Sequence, residues 1–298
     1  MLQTFNGSLG YGLTGVLRSN ATESNVTVTT SATAYNNITP VQLVASTAFD
    51  AHHLTLRIAT NLGAATTRAS TVVEVMLGAA ASEYTIIGPV SLGNRLNPMI
   101  ISLPVYIPSG SRISVRFRCA RISLALSVSV DYYGYMGGDT PTVPNRWIAY
   151  GLTDDATANA QGTSITPGAS NAFGSWTSIV SAATTYPHDL WVPVLDQSTQ
   201  SATGTAGTMR SQFAIATTTD AATEVTAGTV WDGPMATIAT TPSIIDRGLT
   251  VGCGIGLPVG GNGIIYKPTP AGSSVSCRAM FSTTLGSNLL GASVLAAL

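Results

Sequence analysis

The chain has 298 residues, of which 45% are hydrophobic and only 9% charged, and its formal net charge is −1. A charge so close to zero excludes the long-range field that recruits nucleic acid or an anionic membrane surface, and no run approaches the roughly 20 apolar residues of a membrane span. The length is enough for two domains, each with its own core.

Residues 1–20 read as an N-terminal arm without a basic or continuously apolar leader. A first domain is expected over residues 21–137, with strands at Ser24–Thr30, Val41–Ala45, Leu54–Ala59, Thr71–Leu77, Tyr84–Val90, Ile100–Tyr106, Arg112–Arg118 and Ser123–Tyr132. The clearest is Arg112–Arg118, where Ile113, Val115 and Phe117 alternate with Arg112, Ser114, Arg116 and Arg118. Period two marks a half-buried strand. Eight evenly spaced strands indicate an antiparallel sandwich of the jelly-roll kind.

Residues 138–171 are rich in turn formers (Gly138, Pro141, Pro144, Pro167, Gly168) and read as a linker, in which Arg146–Tyr150 is expected to add a strand or pack against the first domain. Beyond it the first domain recurs. Pro108-Ser-Gly-Ser-Arg-Ile-Ser-Val-Arg116 returns as Pro270-Ala-Gly-Ser-Ser-Val-Ser-Cys-Arg278, and Gly88-Pro89 as Gly233-Pro234. Two weaker blocks keep the same order. Thr33-Ala-Tyr35 with Val41-Gln-Leu43 parallels Thr184-Thr-Tyr186 with Val192-Pro-Val194, and Ile58-Ala-Thr60 with Glu74 parallels Ile215-Ala-Thr217 with Glu224. The expected architecture is all-β, a tandem duplication of one sandwich, with the diverged copy at 172–287. The apolar tail, residues 288–298, falls outside the repeat and is expected to cover an edge or dock on a neighbouring subunit.

Catalytic devices are sparse. His52 and His53 are adjacent and point to opposite faces of a strand, His188 lies beside Asp189 in a chain without a GxSxG elbow, and Asp154-Asp155 sits in the linker. The three cysteines, Cys119, Cys253 and Cys277, lack CxxC spacing and read as small buried hydrophobes. The expectation is a non-enzyme without cofactor or metal. Candidate contact residues come from two sets: the arginine row Arg112, Arg116 and Arg118, and the aromatics Tyr133, Tyr135, Trp147, Tyr150 and Trp231, which read as core or interface residues with glycan contact as the alternative. All but one of the basic residues are arginines, Lys267 being the exception, and residues 1–137 carry +3 against −4 in the rest. Both features suit charge-poor surfaces that bury one another.

The run Pro40–Asp50, then Tyr84–Val90, then Leu103–Arg116 resembles structural proteins of tailed bacteriophages, of jelly-roll type. The resemblance covers most of the first domain and implies a virion component, made in the host cytoplasm. Its expected partners are further copies of itself, a trimer being favoured, and other virion proteins such as the major capsid protein or tail components. Capsid decoration is the expected role, with a tail or baseplate adaptor or fibre protein that contacts host surface glycan as the alternative. Neither nucleic acid nor membrane is expected as a partner.

Overall fold

The computed structural model of the chain describes residues 3–5, 16–19, 25–60, 70–93, 99–119, 122–135, 142–152, 162–168, 171–180, 184–197, 207–216, 230–238, 250–252, 264–282 and 290–298. Every regular element among them is a strand. The first half contributes β1 (Gln3–Phe5), β2 (Val16–Arg18), β3 (Val26–Thr29), β4 (Val41–Val44), β5 (His53–Thr60), β6 (Ser70–Leu77), β7 (Tyr84–Gly93), β8 (Met99–Leu103), β9 (Ile113–Cys119) and β10 (Ala125–Tyr135). The second contributes β11 (Trp147–Tyr150), β12 (Thr163–Ile165), β13 (Thr177–Val180), β14 (His188–Gln197), β15 (Gly207–Ala216), β16 (Val230–Ile238), β17 (Thr250–Gly252), β18 (Ile265–Thr269), β19 (Ser274–Phe281) and β20 (Leu290–Ala297).

Two four-strand layers enclose the first core. One runs β3-β10-β5-β8 and the other β4-β9-β6-β7, the crossed order of a jelly roll. Period-two alternation sends Leu54, Leu56 and Ile58 of β5, Leu126, Val128 and Val130 of β10, and Ile113, Val115 and Phe117 of β9 into one core. These side chains are at most 1% exposed. Each fully buried apolar side chain contributes about 1.5–3 kcal/mol.

The second half repeats this plan strand for strand. Its layers run β12-β20-β14-β18 and β13-β19-β15-β16 around a core that includes Trp191, Phe213, Val275, Phe281 and Val294. Registers agree in detail. Leu54 pairs with Tyr132 on one side and Leu103 on the other, and Trp191 with Ala296 and Ile265. The β4–β9 ladder slips between Gln42 and Val44, and the β13–β19 ladder between Ser178 and Val180. Gly88-Pro89 and Gly233-Pro234 each occupy the slip of their own β6–β7 and β15–β16 ladders.

The turn before β9 shows why the Pro-x-Gly-Ser block recurs. Gly110 and Gly272 both have positive φ, 79° and 90°, where a side chain would be strained. In the first roll Thr47 accepts at its carbonyl from Gly110 N (2.8 Å), donates its hydroxyl to Pro108 O (2.7 Å) and receives Ser111 N at that hydroxyl (3.0 Å). Thr184 does the same with Gly272 N (2.8 Å), Pro270 O (3.4 Å) and Ser273 N (3.3 Å).

These registers correct several expectations. Thr184 is the counterpart of Thr47, not of Thr33, and Gln212, not Glu224, stands where Glu74 stands in the first roll. The weaker blocks matched because Thr, Ala and Val are abundant everywhere in the chain. The apolar tail is no external arm: β20 holds the place of β10, an interior strand flanked by β14 on one side and by β11 and β12 on the other. The stretch 138–171 is more than linker, since it contains β11 and also β12, the counterpart of β3. The N-terminal arm likewise supplies β1 and β2, the latter pairing with Tyr133–Tyr135 of β10. In both rolls the long interior strand outruns its short neighbour, and the leftover backbone groups need a partner.

That leftover length fuses the rolls. Strand β11 pairs antiparallel with β20 and parallel with β7, so one sheet runs β18-β14-β20-β11-β7-β6-β9-β4 through both rolls. Continuity makes the outer face of the second roll's layer the inner face of the first roll's layer. Val192, Val194, Leu295, Ala297 and Trp147 therefore belong to the first core. Strand β17 also returns to the first roll, lying parallel to β8.

Candidate functional site

The arginine row does not form an open patch. Arg112 is ion-paired with Glu83 and donates Nε to Gln42 Oε1 (2.9 Å), and the pairing holds the Glu83 carboxyl below its usual range. Arg116 lies directly across from Glu74 on β6 and is ion-paired with it. Arg118 is 2% exposed, which removes it from the surface contacts expected of it. The alternation was legible, but a strand interior to its sheet is covered on more than its core side.

The aromatics divide in the same way. Trp147 is fully buried and donates Nε1 to Pro104 O (2.7 Å), so it serves the seam between rolls and offers nothing to a glycan. Tyr150 is half-buried, and its hydroxyl donates to Nε2 of His188 (2.8 Å), whose Nδ1 donates to Ala297 O (2.8 Å). The carbonyl can only accept, which fixes this tautomer. Burial lowers the His188 pKa and raises that of Tyr150. Trp231 is half-buried at the rim of the second core, with the Lys267 ammonium 5.3 Å from its ring centre.

Tyr133 belongs to a polar network on the outer face of the β10-β5-β8 layer. Its ring meets His53 edge-on at 6.0 Å, His53 Nε2 lies 2.8 Å from Ser102 Oγ, and Ser102 Oγ lies 2.9 Å from Thr55 Oγ1. Beside them Arg57 is ion-paired with Asp131. Tyr135 and Tyr106 approach His52 at 5.5 and 5.6 Å. Burial lowers the His53 pKa to about 4. The corresponding face of the second roll carries Leu190, Val192, Val194 and Leu295, and is spent on the seam.

Sequence reasoning did not assemble a partly exposed cluster on the outer face of β13-β19-β15-β16. The Arg278 guanidinium lies 4.7 Å from the Phe173 ring centre and 4.5 Å from that of Trp176. Nε and Nη2 of Arg278 donate to Gln212 Oε1 (2.9 and 2.7 Å), and Gln212 Nε2 donates to Asp232 Oδ1 (3.2 Å). Arg210 approaches Asp232 at 3.9 Å. Phe173, Trp176, Gln212 and Arg278 are partly exposed, and Asp232 and Arg210 openly so. The signal was present: the recurring block ends in Arg116 in one copy and Arg278 in the other, which invites comparison of what surrounds each.

Among the described residues no three His, Cys, Asp or Glu side chains are placed to hold a metal ion, and no helix is long and apolar enough to cross a membrane. Asp154, Asp155 and Cys253 lie outside the described residues.

No protein-family model matches the chain, and no curated protein matches it. Among solved structures it is similar to PNGF-II at 9% identity and a TM-score of 0.33, over 92% of this chain and 65% of that one. It is similar to the N-terminal CBM22-1-CBM22-2 tandem domain of Paenibacillus barcinonensis Xyn10C at 9% identity and a TM-score of 0.24, over 100% and 91%. It is also similar to the PBSX exported protein XepA at 8% identity and a TM-score of 0.21, over 93% and 88%. Alignments this loose say nothing about chemistry.

Proposed function

We propose that the chain is a non-enzymatic structural block of a virus particle, most simply a capsid decoration protein that works by burying its surface against copies of itself and other virion proteins. The observation that carries this reading is the fusion of two jelly rolls through one uninterrupted sheet with a shared core. Such a block resists bending between its halves and transmits load along backbone hydrogen bonds. Its 9% charged composition keeps the desolvation cost of further contacts low. Among the described residues the one serine–histidine hydrogen bond, Ser102 with His53, fits this reading better than hydrolysis: an imidazole with a pKa of about 4 is a poor base, and Ser102 is 2% exposed.

Adding the purified protein to particles that lack it, imaging them and heating them tests the proposal. Regular density over the head with a higher rupture temperature is the expected result; density confined to the tail with rupture unchanged refutes decoration. A second reading, a tail or baseplate adaptor that contacts host glycan, draws support from the Phe173–Arg278–Trp176 stack, which combines accessible rings with hydrogen-bonding side chains.

A further inference from the structure

Arg116 and Arg278 hold the same position in the two rolls, but the side chains across the ladder and in the adjoining loop differ. Across the ladder Arg116 faces Glu74, whereas Arg278 faces Gln212. The loop beside them keeps one conformation in both rolls. Tyr35 and Asn171 each have φ of 60° and donate N–H to Cys119 O (2.8 Å) and Phe281 O (2.7 Å); Ile38 and Gly174 donate to Phe117 O (3.1 Å) and Ala279 O (2.9 Å). Gly174 is confined, because a Cβ there would stand 2.6 Å from Thr166 O. By that register Asn37 and Pro40 of the first roll correspond to Phe173 and Trp176 of the second. One backbone frame thus carries a neutral ion pair in one copy and an arginine walled by two aromatic rings in the other.

The charge consequences are definite. Glu74 neutralises Arg116, but Gln212 is neutral, and among the described residues Arg278 has no carboxylate partner. Asp232 is occupied by Gln212 and faces Arg210, so those two charges offset each other and the guanidinium of Arg278 is left in excess. Gln212 takes two of its five N–H donors. Three remain on the terminal nitrogens beside the two rings, and Nη1 with Nη2 presents the fork that a carboxylate fills with two parallel bonds. The partly exposed Phe173 and Trp176 rings and the nearby Gln212, Asp232 and exposed Ser178 suit the C–H faces and hydroxyls of a pyranose.

We propose that this face of the second roll binds an acidic saccharide, its carboxylate on Arg278 and its ring against Trp176. The inference rests on the glycan-contact reading above and adds to it the site and the sugar class. It is independent of where the chain sits in a particle.

The test uses the full chain and a panel of probes: oligogalacturonate, hyaluronan oligosaccharide and oligosialic acid, with neutral galactan and glucan oligomers and poly-glutamate alongside. Binding is read by calorimetry and by Trp fluorescence. The variants are Gln212→Glu, which rebuilds the first roll's ion pair and should therefore fold, Trp176→Ala, and Glu74→Gln as a control. The expected result is binding of an acidic oligosaccharide that weakens by about tenfold or more in Gln212→Glu and in Trp176→Ala, and is unchanged in Glu74→Gln. Equal binding of neutral oligomers, indifferent to Gln212→Glu, overturns the acidic specificity while the glycan reading stands. No saccharide bound at millimolar concentration overturns both. Poly-glutamate binding as well as the acidic sugars overturns the assignment to saccharide.

Discussion

Replacing Thr47 and Thr184 one at a time by valine sets the same perturbation in the same turn of two rolls, with different expected costs. Valine keeps the shape and removes the hydroxyl. Both threonines are buried, at 3% and 1% exposure, but the turn groups they hold are only part-buried, so water replaces part of what is lost. In the first roll the hydroxyl makes two close bonds, to Pro108 O at 2.7 Å and from Ser111 N at 3.0 Å. Ser111 N keeps only a long 3.3 Å contact to Pro108 O. In the second roll the same bonds stretch to 3.4 and 3.3 Å, and Ser273 Oγ already donates to Pro270 O at 2.7 Å. Leaving a buried donor or acceptor unsatisfied costs about 1–3 kcal/mol. Thr47→Val should therefore destabilise by about 1–2 kcal/mol, and Thr184→Val by clearly less, under about 1 kcal/mol. Urea unfolding followed by circular dichroism measures both, and the shared core predicts a single transition. Equal costs, or a larger one for Thr184→Val, would show that these bonds do not hold the turns as described.

Truncating Trp147 to alanine empties a fully buried site at the seam and strips Pro104 O of its donor, and should cost about 3–5 kcal/mol by the same urea measurement. Burial depresses the folded pKa of His53 to about 4 from an ordinary 6.5, so the unfolded chain binds the proton more readily. The stabilisation from keeping His53 neutral is complete above about pH 6.5 and lost as pH falls towards 4, by up to about 3 kcal/mol, and His53→Gln should flatten that part of the urea-midpoint profile. Cys119 and Cys277 are buried, and burial pushes the Cys277 thiol well above its usual pKa. Peptide mapping after alkylation should find both unmodified in native protein and both modified in urea; native labelling of Cys277 would contradict its place in the second core.

Much of the first roll was legible because its strands are amphipathic in the simplest way. Ile113, Val115 and Phe117 alternate with polar residues, and the Pro-x-Gly-Ser turns announce a positive φ that glycine alone takes without strain. The same alternation misread the arginines. A polar residue opposite a buried one was taken as open to partners, whereas Arg112 and Arg116 are occupied by Glu83 and Glu74, and Arg118 is buried. Those acids lie 29 and 42 residues from their partners, and only the ladder brings them together. Trp147 was left open between core, interface and glycan contact, and only the sheet that closes over it places it in the first core.

By itself the sequence determined the all-β class, the jelly-roll strands of the first half and the recurrence of one turn and its following strand, since these depend on side-chain alternation and backbone preference over a few residues. Tertiary structure decided the rest. The tail 288–298 looked spare because it lacks alternation, and that lack is physical: as an interior strand whose two faces enter two cores, β20 sends Val294 and Ala296 to one and Leu295 and Ala297 to the other. A strand buried on both sides has no polar face to show. The fusion of the rolls follows from the same long-range pairing, in which residues near 87, 147 and 297 become neighbours in one sheet.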